Sequence, residues 1–256
     1  MVRAEGGERL VTNMIVTNVF VTNKIVSLEL FAMPPISRRE RPAKPALSLE
    51  AIVAAALRLM ETEATERLTM RRLAAELDTG PASLYVYVSN TAELYAHVLD
   101  SKLGELDLKR HSKTPWLDRL TGLLMDYVEL LIRSPALSRS ALFSRPSGEN
   151  YMAVVELILR LLTEGGASLA QASWGVDVLL KSATAGAVEG GAREASASEV
   201  QGWDALTAAI EGADPKRFPL IAESGVDLMS GDGPDRGRWA FAALATGIVA
   251  TPRPVE

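Results

Sequence analysis

Cysteine is absent from the 256-residue sequence. Disulfides, thiolate metal sites and thiol nucleophiles are therefore excluded. Histidine is nearly as scarce, with His97 and His111 the only two. No HExxH-like spacing joins them, so no metal site and no cofactor are expected. The apolar runs fall short of the roughly 20 residues that a membrane span needs. The N-terminus lacks the basic segment, apolar core and small-residue cleavage site of a secretory signal, so a cytoplasmic protein is expected. Gly-rich phosphate loops, a GxSxG elbow and a dinucleotide fingerprint are also missing. With two isolated histidines and scattered carboxylates, a helical-bundle enzyme is not expected.

What is present is a core. Hydrophobic residues make up 48%, enough for a folded globule. Alanine and leucine dominate and strand-type alternation is scarce, so the expected class is all-α. The formal net charge is −5, but it is unevenly spread. Residues 36–48 hold Arg38, Arg39, Arg41 and Lys44 against Glu40 alone. Residues 36–102 balance basic against acidic side chains, and the negative excess sits in 103–256. A small DNA-facing head on an acidic body has this asymmetry, and so does an acidic protein with a basic tail.

Residues 1–35 read differently from the rest. Val11-Thr12-Asn13 recurs as Val16-Thr17-Asn18 and Val21-Thr22-Asn23. Two readings stand: a genuine extension, or upstream DNA read as protein with translation starting at Met33. Pro34, Pro35, Pro42 and Pro45 keep the following basic stretch extended. The expected organisation is a flexible arm over 1–47, a DNA-binding head over 48–100 and a ligand-binding and dimerisation region over 101–256.

Ser48 is a good N-cap for a helix carrying Leu49, Ile52, Val53, Ala56, Leu57 and Met60 on one stripe. Thr69 caps a short helix over 70–77, and Asp78-Thr79-Gly80 breaks it. A second short helix follows over 81–88, opened by Pro81 where a missing N–H costs nothing. Thr91 is expected to cap a longer helix running toward Leu106. Two short helices joined by about three residues make a helix-turn-helix. Too short to stand alone, they must turn Leu73, Leu77, Leu84 and Val88 inward. That leaves Pro81, Ala82, Ser83, Tyr85, Val86 and Tyr87 outward. Small side chains admit a helix deep into the major groove, and tyrosine hydroxyls reach phosphates.

The run Leu68-Thr69-Met70-Arg71-Arg72-Leu73-Ala74-Ala75-Glu76-Leu77, followed by Gly80-Pro81-Ala82-Ser83-Leu84-Tyr85-Val86-Tyr87-Val88-Ser89-Asn90-Thr91-Ala92-Glu93-Leu94, resembles the DNA-binding head of the tetracycline-repressor (TetR) family. The likeness spans about 48–100. It implies that Thr69 approaches a phosphate and Arg71 a guanine edge. Gly80, Pro81, Ala82 and Ser83 are then the groove positions, and Tyr85 and Tyr87 hold phosphates. Thr91 opens a helix whose free N–H groups take another phosphate. Asp78 stands where the family usually has a left-handed glycine, and Thr91 where it often has lysine. Arg38, Arg39, Arg41 and Lys44 are the arm's candidate DNA contacts, the arginines in the minor groove.

Beyond Pro115, helices are expected near 116–133, 136–144, 149–164, 168–193, 199–211 and 235–250. Residues 168–250 resemble the carboxy-terminal domain of the tetracycline-repressor subgroup, which implies a homodimer closed by a four-helix bundle. Val178, Leu179, Ala183 and Ala187 on one helix, and Trp239, Ala243, Leu244 and Gly247 on the other, are the interface candidates. A small-molecule effector is expected among Leu124, Tyr127, Val128, Leu142, Phe143, Tyr151, Val155, Leu159 and Trp174, with Asp177 and Lys181 as polar anchors. The expected function is a dimeric regulator of operator DNA, a repressor released by its effector. An activator, or a non-specific architectural DNA protein, remains the alternative.

Overall fold

A computed structural model describes residues 46–62, 68–110, 113–143, 146–195 and 197–254, without the side chains of 192–201 and of Val226. Residues 46–256 belong to one compact unit. Every regular element described is helical: α1 (Leu49–Thr62), α2 (Met70–Glu76), α3 (Pro81–Leu84), α4 (Thr91–Leu103), α5 (Trp116–Ile132), α6 (Pro135–Ala141), α7 (Glu149–Glu164), α8 (Leu169–Ala195), α9 (Ala197–Glu211), α10 (Pro219–Met229) and α11 (Gly233–Ala250).

The helix starts follow local chemistry. Ser48 Oγ accepts the Ala51 N–H at 3.2 Å, and Thr69 Oγ1 accepts the Arg72 N–H at 3.3 Å. The cap of α4 differs from expectation. Asn90, not Thr91, is the N-cap, its Oδ1 accepting the Glu93 N–H at 2.9 Å. Glu93 Oε2 answers by accepting the Ser89 N–H at 2.6 Å. Thr91 is thereby the first helical residue. Asp78 carries φ of 47°, the left-handed conformation that Asp tolerates better than most side chains.

Two further differences have plain causes. The second short helix ends at Leu84 and continues as a turn through Tyr87. A helix not foreseen, α10, occupies Pro219–Met229. Pro219 reads as a breaker in the sequence, yet it stands in the first turn, where its missing N–H leaves nothing unpaired.

α1 packs on α2 and α4, and α2 on α3. Ile52, Leu73, Leu84, Leu94 and Val98 are fully shut away among these four helices. The larger bundle joins α5, α7, α8 and α11, with α6 against α4, α5 and α8. On α5, Leu120, Leu124, Tyr127 and Leu131 recur at helical spacing and are buried. α8 meets its neighbours through small residues, Ala172, Ala183 and Ala187. At Gly175 a Cβ would lie 2.9 Å from both Ile248 Cγ2 and Leu162 Cδ1, so glycine there lets these side chains of α11 and α7 sit close against α8. Gln171 Nε2 reaches the α11 end, donating to the Thr251 carbonyl at 2.9 Å. The boundary expected at residue 100 falls inside α4, which packs on α1 at one end of the molecule and on α6 and α7 at the other.

Candidate DNA-binding face and ligand cavity

The short helices α2 and α3 present one continuous outer face because their leucines are spent inward. Leu73 and Leu84 are fully buried and Val88 nearly so. Leu77 packs half-buried against the same core. Gly80, Pro81 and Ala82 stand exposed, and Ser83 is half-buried. Tyr85 is 52% exposed and Val86 80%. Such large exposed side chains, with small ones beside them, form a surface that the fold leaves uncovered. Thr69 is exposed at the start of α2, though its hydroxyl is engaged as the cap. Arg71 is exposed, and no ion pair to a carboxylate is formed by it among the described residues.

The two tyrosines differ. Tyr85 makes no hydrogen bond among the described residues, so its hydroxyl is available to a phosphate. Tyr87 donates its hydroxyl proton to the Leu47 carbonyl at 2.5 Å. It therefore tethers the chain entering α1, a different task from the phosphate contact implied by resemblance. Thr91 is half-buried in the first turn of α4. Arg38, Arg39, Arg41 and Lys44 lie outside the described residues.

A second feature lies between α4, α5, α6, α7 and α8. A cavity of about 150 Å³ is lined by Leu99, Tyr127, Ala141, Leu142, Pro146, Tyr151, Ser173, Val176, Asp177, Leu180, Lys181 and Thr184. The structure thus brings together Tyr127, Leu142, Tyr151, Asp177 and Lys181 from the expected set. Leu124 is fully buried core. Val128, Val155 and Leu159 pack half-buried against the core away from the cavity. Phe143 is 85% exposed and lines an outer groove with Asn90 and His97. Trp174 turns outward, with the Arg253 guanidinium 4.4 Å from its ring centroid.

The cavity wall holds a buried polar pair. Thr184 Oγ1 donates to the Leu180 carbonyl at 2.8 Å, which uses its one proton. It therefore accepts from the Tyr127 hydroxyl 3.0 Å away. Burial pushes the Tyr127 phenol above its ordinary pKa, so it stays a neutral donor at any physiological pH. At the rim, Lys181 Nζ and Asp177 Oδ2 pair at 2.5 Å, one helical turn apart. The sequence signal for Thr184 was available: it continues the Val176–Leu180 stripe by four residues as a polar member of an apolar row. Leu99, Pro146 and Ser173 carry no such signal. Among the described residues no cluster of metal-binding side chains forms, and no helix is long and apolar enough to cross a membrane.

The interface candidates divide by face. Leu179, Ala183 and Ala187 are fully buried inside the protomer, against α5, α7 and α11, and have no surface to offer a second copy. Leu244 is half-buried on the same core. Val178 is 43% exposed and Trp239 74%, with Ala243 and Gly247 exposed on the Trp239 side of α11. The misplacement has a simple reason. Two apolar faces run along α8, and periodicity does not tell which one turns inward.

Comparison with known proteins agrees with this geometry. Residues 52–98 match the model of bacterial regulatory proteins of the tetR family. A Streptomyces coelicolor protein described as a transcription regulator is 48% identical. That match covers 83% of this chain and all of the other, with a TM-score of 0.70. ActR of Streptomyces coelicolor, in its apo form, is 29% identical over 80% of this chain and 98% of its own, with a TM-score of 0.70. ActR has also been solved in complex with actinorhodin. The transcriptional repressor DrrR1 of Streptomyces coeruleorubidus is 28% identical over 80% of this chain and 77% of its own.

Fold, face and these likenesses together fit a helix-turn-helix, DNA-binding transcription regulator. The chain belongs to the tetracycline-repressor (TetR) family.

Proposed function

We propose that this regulator is a homodimeric repressor, released from its operator by a small molecule that enters the cavity between α4 and α8. The observation that carries the reading is the double duty of α4. Its first half, with the buried Leu94 and Val98, packs on α1, which in turn carries α2 and through it α3. Its second half contributes Leu99 to the cavity wall. A change in the cavity therefore has a rigid path to the DNA-facing surface.

The volume supports the direction of the effect. At about 150 Å³ the space is smaller than the roughly 300–1,000 Å³ of ordinary ligand pockets. A drug-sized ligand seated fully within it presses on the walls, α4 among them. Polar atoms of Tyr127, Thr184, Asp177 and Lys181 would fix its orientation. Binding of the ligand and binding of DNA then oppose one another by a coupling of about 1–3 kcal/mol. One recognition helix reads few base pairs, so specific affinity calls for two of them about one turn of DNA apart. The exposed Val178, Trp239, Ala243 and Gly247 face supports pairing with a second copy. On DNA, Arg71 and the Pro81–Ser83 edge take base positions and Tyr85 a phosphate.

The test begins with selection of duplexes from a random-sequence pool, followed by titration of the bound complex with actinorhodin, the compound found with ActR. A two-fold symmetric preferred site, and loss of the complex on adding that compound, are the expected results. No retention of duplex DNA at low ionic strength would overturn the regulator reading. Tight, sequence-specific binding unaffected by actinorhodin would exclude that compound as the effector.

A further inference from the structure

Helix α7 begins without a capping side chain of its own. Its N-cap is Gly148, which makes no side-chain cap bond. The first N–H groups of a helix need acceptors, and a carboxylate there also meets the positive end of the helix dipole. The acceptor comes from another helix. Asp100, on α4, takes the Tyr151 N–H on Oδ1 at 2.8 Å and the Asn150 side-chain amide on Oδ2 at 3.3 Å. The seat is tight: a Cβ at Gly148 would lie 2.2 Å from Asp100 Cγ. Asn150 in turn rests on α4 at Gly104, where a Cβ would meet its amide at 3.1 Å. The residues beside this joint line the cavity. Leu99 precedes Asp100, and the Tyr151 side chain faces the same space.

We propose that the Asp100–Tyr151 bond is the joint between head and cavity, closed in the DNA-binding form and opened when the cavity enlarges. This rests on the regulator reading given above. With the cavity small, Tyr151 stays in place, the start of α7 holds the Asp100 carboxylate, and α4 keeps one orientation against α1, which carries α2 and α3. Widening the cavity separates Leu99 from Tyr151 and draws the carboxylate off the α7 terminus. α4 is then free to tilt, and the head loses the spacing that DNA requires. Asp100 is a positioning residue: it touches neither DNA nor cavity contents.

The test uses the full chain and the duplex selected above. Hydrogen exchange at the α7 amides Tyr151 and Met152 is followed with and without that duplex. In the wild type the duplex slows exchange by about fivefold or more, the low end of ordinary coupling between sites. Asp100→Ala removes the acceptor. Gly148→Ala keeps it but fills its seat, so both variants abolish the DNA-dependent slowing and weaken duplex binding alike. Asp100→Asn retains an acceptor oxygen and retains the slowing, which separates the joint from a merely stabilising contact. If Asp100→Ala does not fold, Gly148→Ala against Asp100→Asn gives the same contrast. Slowing that persists in Asp100→Ala or Gly148→Ala, or that is absent from the wild type bound to DNA, overturns the joint while leaving the regulator reading intact. Failure to enrich any duplex overturns both.

Discussion

The two ends of the molecule spend their hydrophobic residues differently. In the head, Ile52, Leu73, Leu84, Leu94 and Val98 are all fully buried, and the outer face of α2 and α3 is made of what remains. In the larger bundle, Trp239 is 74% exposed, while Tyr127 and Thr184 form a polar pair inside. The head is thus a finished core, held by non-directional burial that leaves little to rearrange. The bundle differs in holding a buried polar pair inside its apolar core, while both ends keep apolar side chains outside, Val86 in the head and Trp239 in the bundle. The first arrangement suits a part that must present one fixed face. The second suits a part that must take up a partner and a ligand.

That contrast can be broken at several strengths. Leu84→Ala removes a fully buried side chain from the smaller core and is expected to cost about 2–5 kcal/mol. Calorimetry should show a large loss of stability, and duplex binding should vanish with it. Retained binding would mean that the head does not depend on its apolar interior. Trp239→Ala addresses the other end. If α11 pairs with a second copy, losing a central tryptophan should weaken the dimer by about 2 kcal/mol or more, read by sedimentation equilibrium, with the protomer still folded. An unchanged dimer would move the interface elsewhere.

Smaller effects sharpen the description of the head's surface. Arg71→Ala should relax preference at one base position by about 1–3 kcal/mol. Tyr85→Phe should weaken every duplex to the same degree, because a phosphate contact carries no sequence information. Identical binding profiles for both variants and the wild type would remove these residues from the contact surface. The smallest effect concerns the α4 start. The Ser89 N–H holds the Glu93 carboxyl below the ordinary carboxylate range, with a minor contribution from His97. A depressed carboxyl contributes stability above its unfolded pKa and loses it as pH falls through the folded one. The difference in melting temperature between wild type and Glu93→Gln should therefore be present at neutral pH and close under acid conditions. A difference that persists to low pH would show that ionisation of Glu93 is not its source.

How far the sequence could be read varies with the range of the interaction involved. The caps at Ser48 and Thr69 and the inward leucines of α2 and α3 depend on residues three or four apart and were legible, whereas the left-handed Asp78 was implied only by the family resemblance. Even so, Asn90 outcompeted its neighbour Thr91 as a cap, a choice between adjacent residues that pattern alone does not make. α10 was hidden because its leading proline looks the same whether it ends one element or begins another. In the bundle, Leu124, Val155 and Leu159 were expected around a ligand and are packed into or against the core instead, whereas Pro146 and Ser173 reach the cavity with no pattern to announce them.

The sequence by itself determined most of the helices, the inward face of the head and the short-side-chain edge Pro81–Ser83 left on its outside, because periodicity and capping act over one or two turns. Only the tertiary structure decided which face of α8 is core, where the cavity lies and that α7 borrows its cap from Asp100. Those outcomes depend on residues about fifty or more positions apart meeting at hydrogen-bond distance. No local pattern encodes such a meeting, since it exists only once the helices have packed.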